Sequence, residues 1–120
     1  MTLGQRVFEN AESFPEKAAI SFKTETVTYG QLKENILVSA TNLLNLGVKP
    51  GDRVMINSVS KPETISAYLA LRFIGASVIF LDKNATEETT KSIIEDSEPV
   101  LLLTDKPIKF DISPVMLSSL

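Results

Sequence analysis

The stretch Ala67–Asp82 reads AYLALRFIGASVIFLD, and its reading decides the fold. Ile65 and Ser66 stand in front of it, so an apolar run extends from Ile65 to Leu81 with Arg72 as its one charge. Such a run is either a membrane span or two buried elements of a layered fold. A span needs about 20 apolar residues, with about 17 as a lower limit. Arg72 near the midpoint would cost roughly 2.5–3.5 kcal/mol on insertion scales. Gly75 also divides the run into a helix-forming half, AYLALRFI, and a β-branched and aromatic half, SVIFL. The run therefore reads as a buried helix, a glycine stop and a central strand, with Arg72 snorkelling out at the helix surface.

Working outward, the flanking segments repeat the alternation. On the N-terminal side, Lys49-Pro50-Gly51-Asp52 is a tight turn by composition, and Arg53–Asn57 (RVMIN) is a short apolar strand of the central parallel type. Ser60 and Glu63 offer a capping box for the helix of the opening stretch, with Pro62 tolerated in its first turn. On the C-terminal side, Asn84 or Thr86 caps a helix over Glu87–Ser97 with Ile93 and Ile94 inward. Glu98-Pro99 breaks it, and Val100–Thr104 (VLLLT) is a further strand. The pattern fades beyond Asp105, where Pro107 and Pro114 interrupt it, so residues 105–120 are expected to be an irregular tail or the start of a next subdomain.

Toward the N-terminus, Leu3, Val7, Phe8 and Ala11 predict a short amphipathic helix ended by Ser13-Phe14-Pro15. Ala18–Lys23 and Glu25–Tyr29 predict a hairpin turning around Thr24-Glu25. Thr28 with Gln31 three residues on is a capping box. Behind it, Leu32, Ile36, Ala40, Leu43 and Leu44 line the inner face of a helix that Gly47 and Pro50 close. The predicted fold class is α/β: a three-layer, mostly parallel sheet from a βαβαβ unit, half of a doubly wound domain, plus an N-terminal helix and β-hairpin.

Composition narrows the chemistry. The 120 residues suit one domain or a piece of one, and a chain this size buries roughly two thirds of its unfolded surface. With 12 basic against 15 acidic residues and a net charge of −3, there is no basic block to hold nucleic acid. There is no His and no Cys, which removes thiol nucleophiles, the Ser-His-Asp relay and thiolate zinc sites. The beginning, MTLGQRVFENAESFPEK, lacks the apolar core of a signal peptide, and a cytoplasmic location is expected.

Ligands of such sheets sit beyond the carboxyl ends of the strands, here Asn57-Ser58, Asp82-Lys83 and Thr104-Asp105. Asp82 has the chemistry to accept from a ribose hydroxyl. However, the crossover Ser58-Val59-Ser60-Lys61-Pro62 has no glycine, so no G-x-G-x-x-G loop accompanies it, and a loop carboxylate near a helix start is the favoured reading. Asp52 and Arg53 read as a turn carboxylate and a strand-opening base in a surface pair rather than a phosphate site. Glu87-Glu88 and Glu95-Asp96 are neighbours that diverge by about 100° on a helix, so neither pair can share a proton or a metal. Glu87 and Glu88 favour the helix N-terminal dipole instead. Tyr29 and Tyr68 read as core or boundary residues. No catalytic, cofactor-binding or metal-ligating residue is assigned.

Four stretches in order carry a family resemblance: FPEKAAI (Phe14–Ile20), TVTYGQLKENILVSATNLLNLGVKPGDRV (Thr26–Val54), PETISAYLALRFIGASVIFLD (Pro62–Asp82) and IIEDSEPVLLLT (Ile93–Thr104). Together they resemble the N-terminal region of the adenylate-forming, AMP-binding ligases, the superfamily of acyl-CoA synthetases, peptide-synthetase adenylation domains and luciferases. Phe80 stands where the family usually has Pro, and Phe73 where it usually has Lys. The resemblance implies a parent enzyme that joins ATP and a carboxylic acid into an acyl-adenylate. The acyl group then passes to the thiol of CoA or of a carrier phosphopantetheine, with Mg²⁺ screening the phosphates. Fatty acid metabolism is one setting it suggests. The phosphate loop, metal motif, ribose-binding Asp, hinge and adenylation Lys of the family match no position in 1–120.

The resemblance thus implies an N-terminal portion of a ligase, without turnover alone and with no cofactor of its own. Its partners would be the large-domain core and C-terminal domain of the same enzyme. The alternative is a free-standing Rossmann-like nucleotide-binding or interaction domain. A membrane span is not expected, while self-association of the isolated chain through an uncovered strand edge is.

Overall fold

A computed structural model describes residues 3–57, 61–82, 84–104, 114–117 and 120. The deciding stretch resolves as a helix, α3 (Pro62–Ile74), and a strand, β4 (Ser77–Phe80), separated by Gly75 at φ 97. Gly75 takes the left-handed conformation that only glycine adopts without cost. Its N–H donates to Leu71 and Arg72 oxygens (3.1 and 3.2 Å), and its carbonyl accepts from Gly51 N–H at 2.9 Å, so the helix stop is bonded to the turn before the neighbouring strand. Arg72 lies exposed and donates to the Ala76 carbonyl at 3.4 Å, as the snorkelling reading expects. Among the described residues no helix is long and apolar enough to cross a membrane.

Before that stretch come α1 (Leu3–Ser13), β1 (Ala18–Phe22), β2 (Glu25–Thr28), α2 (Tyr29–Asn45) and β3 (Arg53–Asn57); after it come α4 (Glu87–Ser97), β5 (Leu101–Thr104) and β6 (Pro114–Met116). β1 and β2 form an antiparallel hairpin, and the other strands form a parallel four-stranded sheet in the order β4-β3-β5-β6. Alternation along the two inner strands sorts side chains to opposite faces. Val54, Ile56, Leu101 and Leu103 join the core under α1, α2 and α3, whereas Met55 and Leu102 join the one under α4, with Ile93 and Ile94 against it. Helices thus cover both faces, giving the three-layer α/β arrangement. The path β3–α3–β4 runs one way on one face and β4–α4–β5 returns on the other, which is doubly wound.

Local signals explain the boundaries. Thr28 Oγ1 accepts Gln31 N–H at 3.2 Å while Gln31 Oε1 accepts Thr28 N–H at 2.9 Å, the reciprocal capping box that starts α2. Thr86, rather than Asn84, caps α4 by accepting Thr89 N–H at 3.1 Å. The hairpin turns at Lys23-Thr24, one residue earlier than expected, because Phe22 pairs with Glu25; Lys23 has φ 54. Two bonds fasten its feet to each other and to α2: Tyr29 N–H to Lys17 O at 2.9 Å and Gly30 N–H to Pro15 O at 3.0 Å.

Three expectations need correction. β4 is an edge strand, not a central one, because β5 pairs with β3 on the opposite flank; Phe80 is accordingly 56% exposed. α3 has Lys61 as its N-cap with no side-chain cap bond, and Ser60 of the expected capping box lies outside the described residues. Leu44 is 54% exposed, pointing off the face that Leu32, Ile36, Ala40 and Leu43 bury. β6 pairs with β5 from Leu102↔Pro114 to Thr104↔Met116, within residues 105–120, where the sequence led us to expect an irregular tail or the start of a next subdomain. Proline opens that short strand, a position where its missing N–H costs little.

Candidate functional site

Open parallel sheets bind ligands outside the carboxyl ends of the strands, at the point where successive crossovers diverge to opposite faces. Here that point lies between β3 and β5. Asn57 and Thr104, the last residues of those strands, are paired in register, and Thr104 is fully buried. This fixed pair is the part of the crevice that lies among the described residues. Ser58, Lys83 and Asp105, also placed at strand ends by the sequence, lie outside them.

The other candidates fall away from this crevice into structural roles. Asp82 follows the edge strand β4, and its Oδ1 accepts Asn84 N–H at 2.9 Å while its carbonyl accepts Ala85 N–H at 2.9 Å. It is the loop carboxylate that shapes the entry to α4. Asp52 Oδ2 accepts Lys49 N–H at 2.8 Å and completes the turn. Arg53 makes a different contact from the expected surface pair: its Nη1 donates to the Ser97 carbonyl at 2.9 Å, at the carboxyl end of α4. That position is favourable because the last carbonyls of a helix lack intrahelical donors and carry partial negative charge.

Glu87 and Glu88 occupy the first turn of α4, and Glu95 and Asp96 are exposed farther along it. Tyr29 and Tyr68 are partly buried against the main core, and the Tyr68 ring meets that of Phe80 in a tilted contact at 5.4 Å between centroids.

A second concavity had no signal in the sequence. It is an open groove of about 540 Å³ bounded by the hairpin, the first half of α2, the start of α3 and Leu117 and Leu120. Small polar residues on helices, Ser39 and Ser66, form part of its lining. In sequence they look like ordinary surface positions.

A Mg²⁺–nucleotide complex is held by one or two carboxylates on the ion, beside the phosphates themselves, and by backbone donors on the phosphates. Among the described residues no group of three His, Cys, Asp or Glu side chains gathers to hold a metal ion. The positive-φ glycines are Gly47, Gly51 and Gly75, which serve turns on the opposite side, at the amino ends of β3 and β4.

Comparison with known proteins supplies what the side chains do not. The sequence profile described as AMP-binding enzyme matches residues 7–117. The chain belongs to the AMP-binding enzyme family. Among curated relatives, the 2-succinylbenzoate–CoA ligase of Bacillus cereus (strain Q1) is 29% identical over 114 residues, covering 95% of this chain and 24% of that ligase. Bacitracin synthase 3 of Bacillus licheniformis is 34% identical over 107 residues, covering 89% of this chain and 2% of that protein. Among solved structures, the N-terminal subdomain of Klebsiella oxytoca NpsA in complex with anthranilyl-AMSN superposes with a TM-score of 0.87. It is 25% identical, and the match covers 98% of this chain and 31% of that one. The chain thus corresponds to the N-terminal portion of adenylate-forming ligases and spans about a quarter of the length of the curated CoA ligases it matches (24%).

Proposed function

We propose that this chain is the N-terminal part of an ATP-dependent ligase that activates a carboxylic acid and hands it to CoA. The observation that carries the reading is the family match over residues 7–117. In the reaction, a carboxylate oxygen bonds to the α-phosphorus of ATP and pyrophosphate leaves. The thiol sulfur then bonds to the acyl carbon, its proton is lost, and AMP departs. AMP is a far better leaving group than the oxide of a free carboxylate, so ATP cleavage makes the acyl carbon open to attack.

In this reading the chain contributes scaffold: the paired Asn57 and Thr104 ends of β3 and β5 form one bank of the crevice. The groups that bind ATP, Mg²⁺ and CoA belong to the rest of the enzyme, its large-domain core and C-terminal domain. CoA as acceptor is supported by the 2-succinylbenzoate–CoA ligase relative. A carrier phosphopantetheine, which the resemblance to peptide-synthetase adenylation domains implies, is the second reading. Aromatic acids are a better supported class than fatty acids, given the names of the ligase relative and of the NpsA ligand. Because ATP and CoA are cytoplasmic cosubstrates, the enzyme would work in the cytoplasm.

The test is acid-dependent exchange of labelled pyrophosphate into ATP, with an aryl and a fatty acid panel. The protein translated from the whole reading frame is expected to show exchange, and the 120-residue chain none. Exchange by the 120-residue chain, or its absence from a longer product with every acid, would overturn the reading.

A further inference from the structure

The parallel sheet keeps one edge that its sequence leaves open. β4 is outermost, and its residues, SVIF, include no proline and no charge. Native edge strands are usually blunted by such residues, because a row of free N–H and C=O groups recruits another strand. The opposite edge, β6, does open on a proline, Pro114.

The ladder to β3 shows which groups of β4 face outward. Ser77 N–H donates to Asp52 O at 2.8 Å and Leu81 N–H to Ile56 O at 2.9 Å, in a parallel register that runs from Arg53↔Ser77 to Ile56↔Phe80. In an extended strand the N–H and C=O of one residue point to the same side, and those of the next residue to the other. Ser77, Ile79 and Leu81 therefore face β3, while Val78 and Phe80 present both groups to the open side, where no described strand lies.

Charge marks the two ends of this edge. Arg72 is exposed, and its Nη1 donates to the carbonyl of Ala76, the residue before β4. Ala76 shares the outward alternation of Val78 and Phe80, so the guanidinium sits at the open side. Asp82 is exposed two residues beyond Phe80. Neither Arg72 nor Asp82 is in an ion pair among the described residues.

These features complement one another under a two-fold axis. Antiparallel pairing of β4 with a second β4, centred on Ile79, sets Val78 opposite the partner's Phe80, and each such pair exchanges N–H···O=C bonds in both directions. The same register sets Asp82 opposite the partner's Ala76, where the partner's Arg72 lies, and the axis repeats that contact. A parallel pairing would instead bring Arg72 to Arg72 and Asp82 to Asp82. Phe80, 56% exposed, would pack beside the partner's Val78 on the α3 face.

We propose that the chain forms a two-fold dimer through β4, with the two parallel sheets joined edge to edge and Arg72 of each copy paired with Asp82 of the other. The interface is isologous, so it closes at two copies.

The test is sedimentation equilibrium of the 120-residue chain from about 10 μM to about 1 mM, the range for a contact of small area. The mass should rise from 13.2 kDa toward twice that value and stop there. Amide exchange at Val78 and Phe80 should slow over the same range, while Ser77 and Leu81, already bonded to β3, change little. Phe80→Pro deletes an outward N–H without touching a β3 bond and should abolish the dimer with the circular dichroism unchanged. Arg72→Glu and Asp82→Lys, each alone, place like charges at both contacts and should weaken association about tenfold or more. An equimolar mixture of the two should restore it as a heterodimer, a result that decides the matter even where Phe80→Pro fails to fold. A chain monomeric at the highest concentration, a folded Phe80→Pro that dimerises like its parent, a mixture no tighter than its components, or a mass that climbs past the dimer would each overturn the proposal.

Discussion

Gly75→Ala tests the hinge of the fold. Gly75 has φ 97, in a region where an L residue strains its own backbone. The surroundings do not add to that strain. A Cβ there would lie 3.5 Å from Pro50 Cβ and 3.7 Å from Pro50 Cα, ordinary contact distances. The cost is therefore that of the left-handed conformation, about 1–2 kcal/mol. For a domain of this size that loss lowers the melting temperature by about 4–8 °C. Gly4→Ala is the internal control. Gly4 lies within α1, has nothing within 4 Å of its added Cβ and has no positive φ, so the same substitution should stabilise by up to about 1 kcal/mol. Urea titrations followed by far-ultraviolet circular dichroism would read both variants through the midpoint, with the slope unchanged. If Gly75→Ala matched the parent chain, or if both variants moved the same way, the assignment of Gly75 as a conformational stop would be wrong.

Other substitutions probe separate parts of the molecule. Thr28→Ala removes one side of the capping box and should cost about 1 kcal/mol, with Thr28→Ser recovering most of it in the same titration. Leu103→Ala empties a fully buried position of β5 and should cost about 3–5 kcal/mol, seen as a collapse of the urea midpoint. Glu98→Gly relieves a non-glycine residue at φ 48 after α4 and should raise the melting temperature, a gain of about 0.5–1 kcal/mol. Arg53→Met keeps the apolar stem but loses the donor to Ser97 O; about 0.5–1.5 kcal/mol should be lost, and hydrogen exchange should quicken in the last turn of α4.

Signals that act over a few residues were legible in the sequence: the Thr28–Gln31 box, the Gly75 and Gly47 stops, and the apolar runs that became β3 and β5. Each depends on contacts within a turn or two of the chain. What escaped depends on distant partners. SVIFL has the composition of an inner strand, yet β4 is outermost because β5 chose the other side of β3. β6 is visible only through its ladder to Leu102–Thr104, since proline hides it from any local pattern. Arg53 looked like a partner for its neighbour Asp52, while its acceptor lies at Ser97. The candidate site shows the same division. The strand ends that flank the crevice could be named from the alternation of elements. Their Asn57↔Thr104 register, and the meeting of Ser39 with Ser66 in one groove, are products of packing.

The bonds from Tyr29 to Lys17 and from Gly30 to Pro15 give the hairpin two welded feet, and a Cβ on Gly30 would come within 3.2 Å of the Pro15 oxygen. Extra residues at the base would pry that joint apart, whereas Lys23 and Thr24 at the far end are exposed and project beyond it. An affinity handle or a fluorescent label is therefore best spliced between those two residues, where the added length enlarges a loop whose closure entropy grows only slowly and leaves the docking of α1 intact.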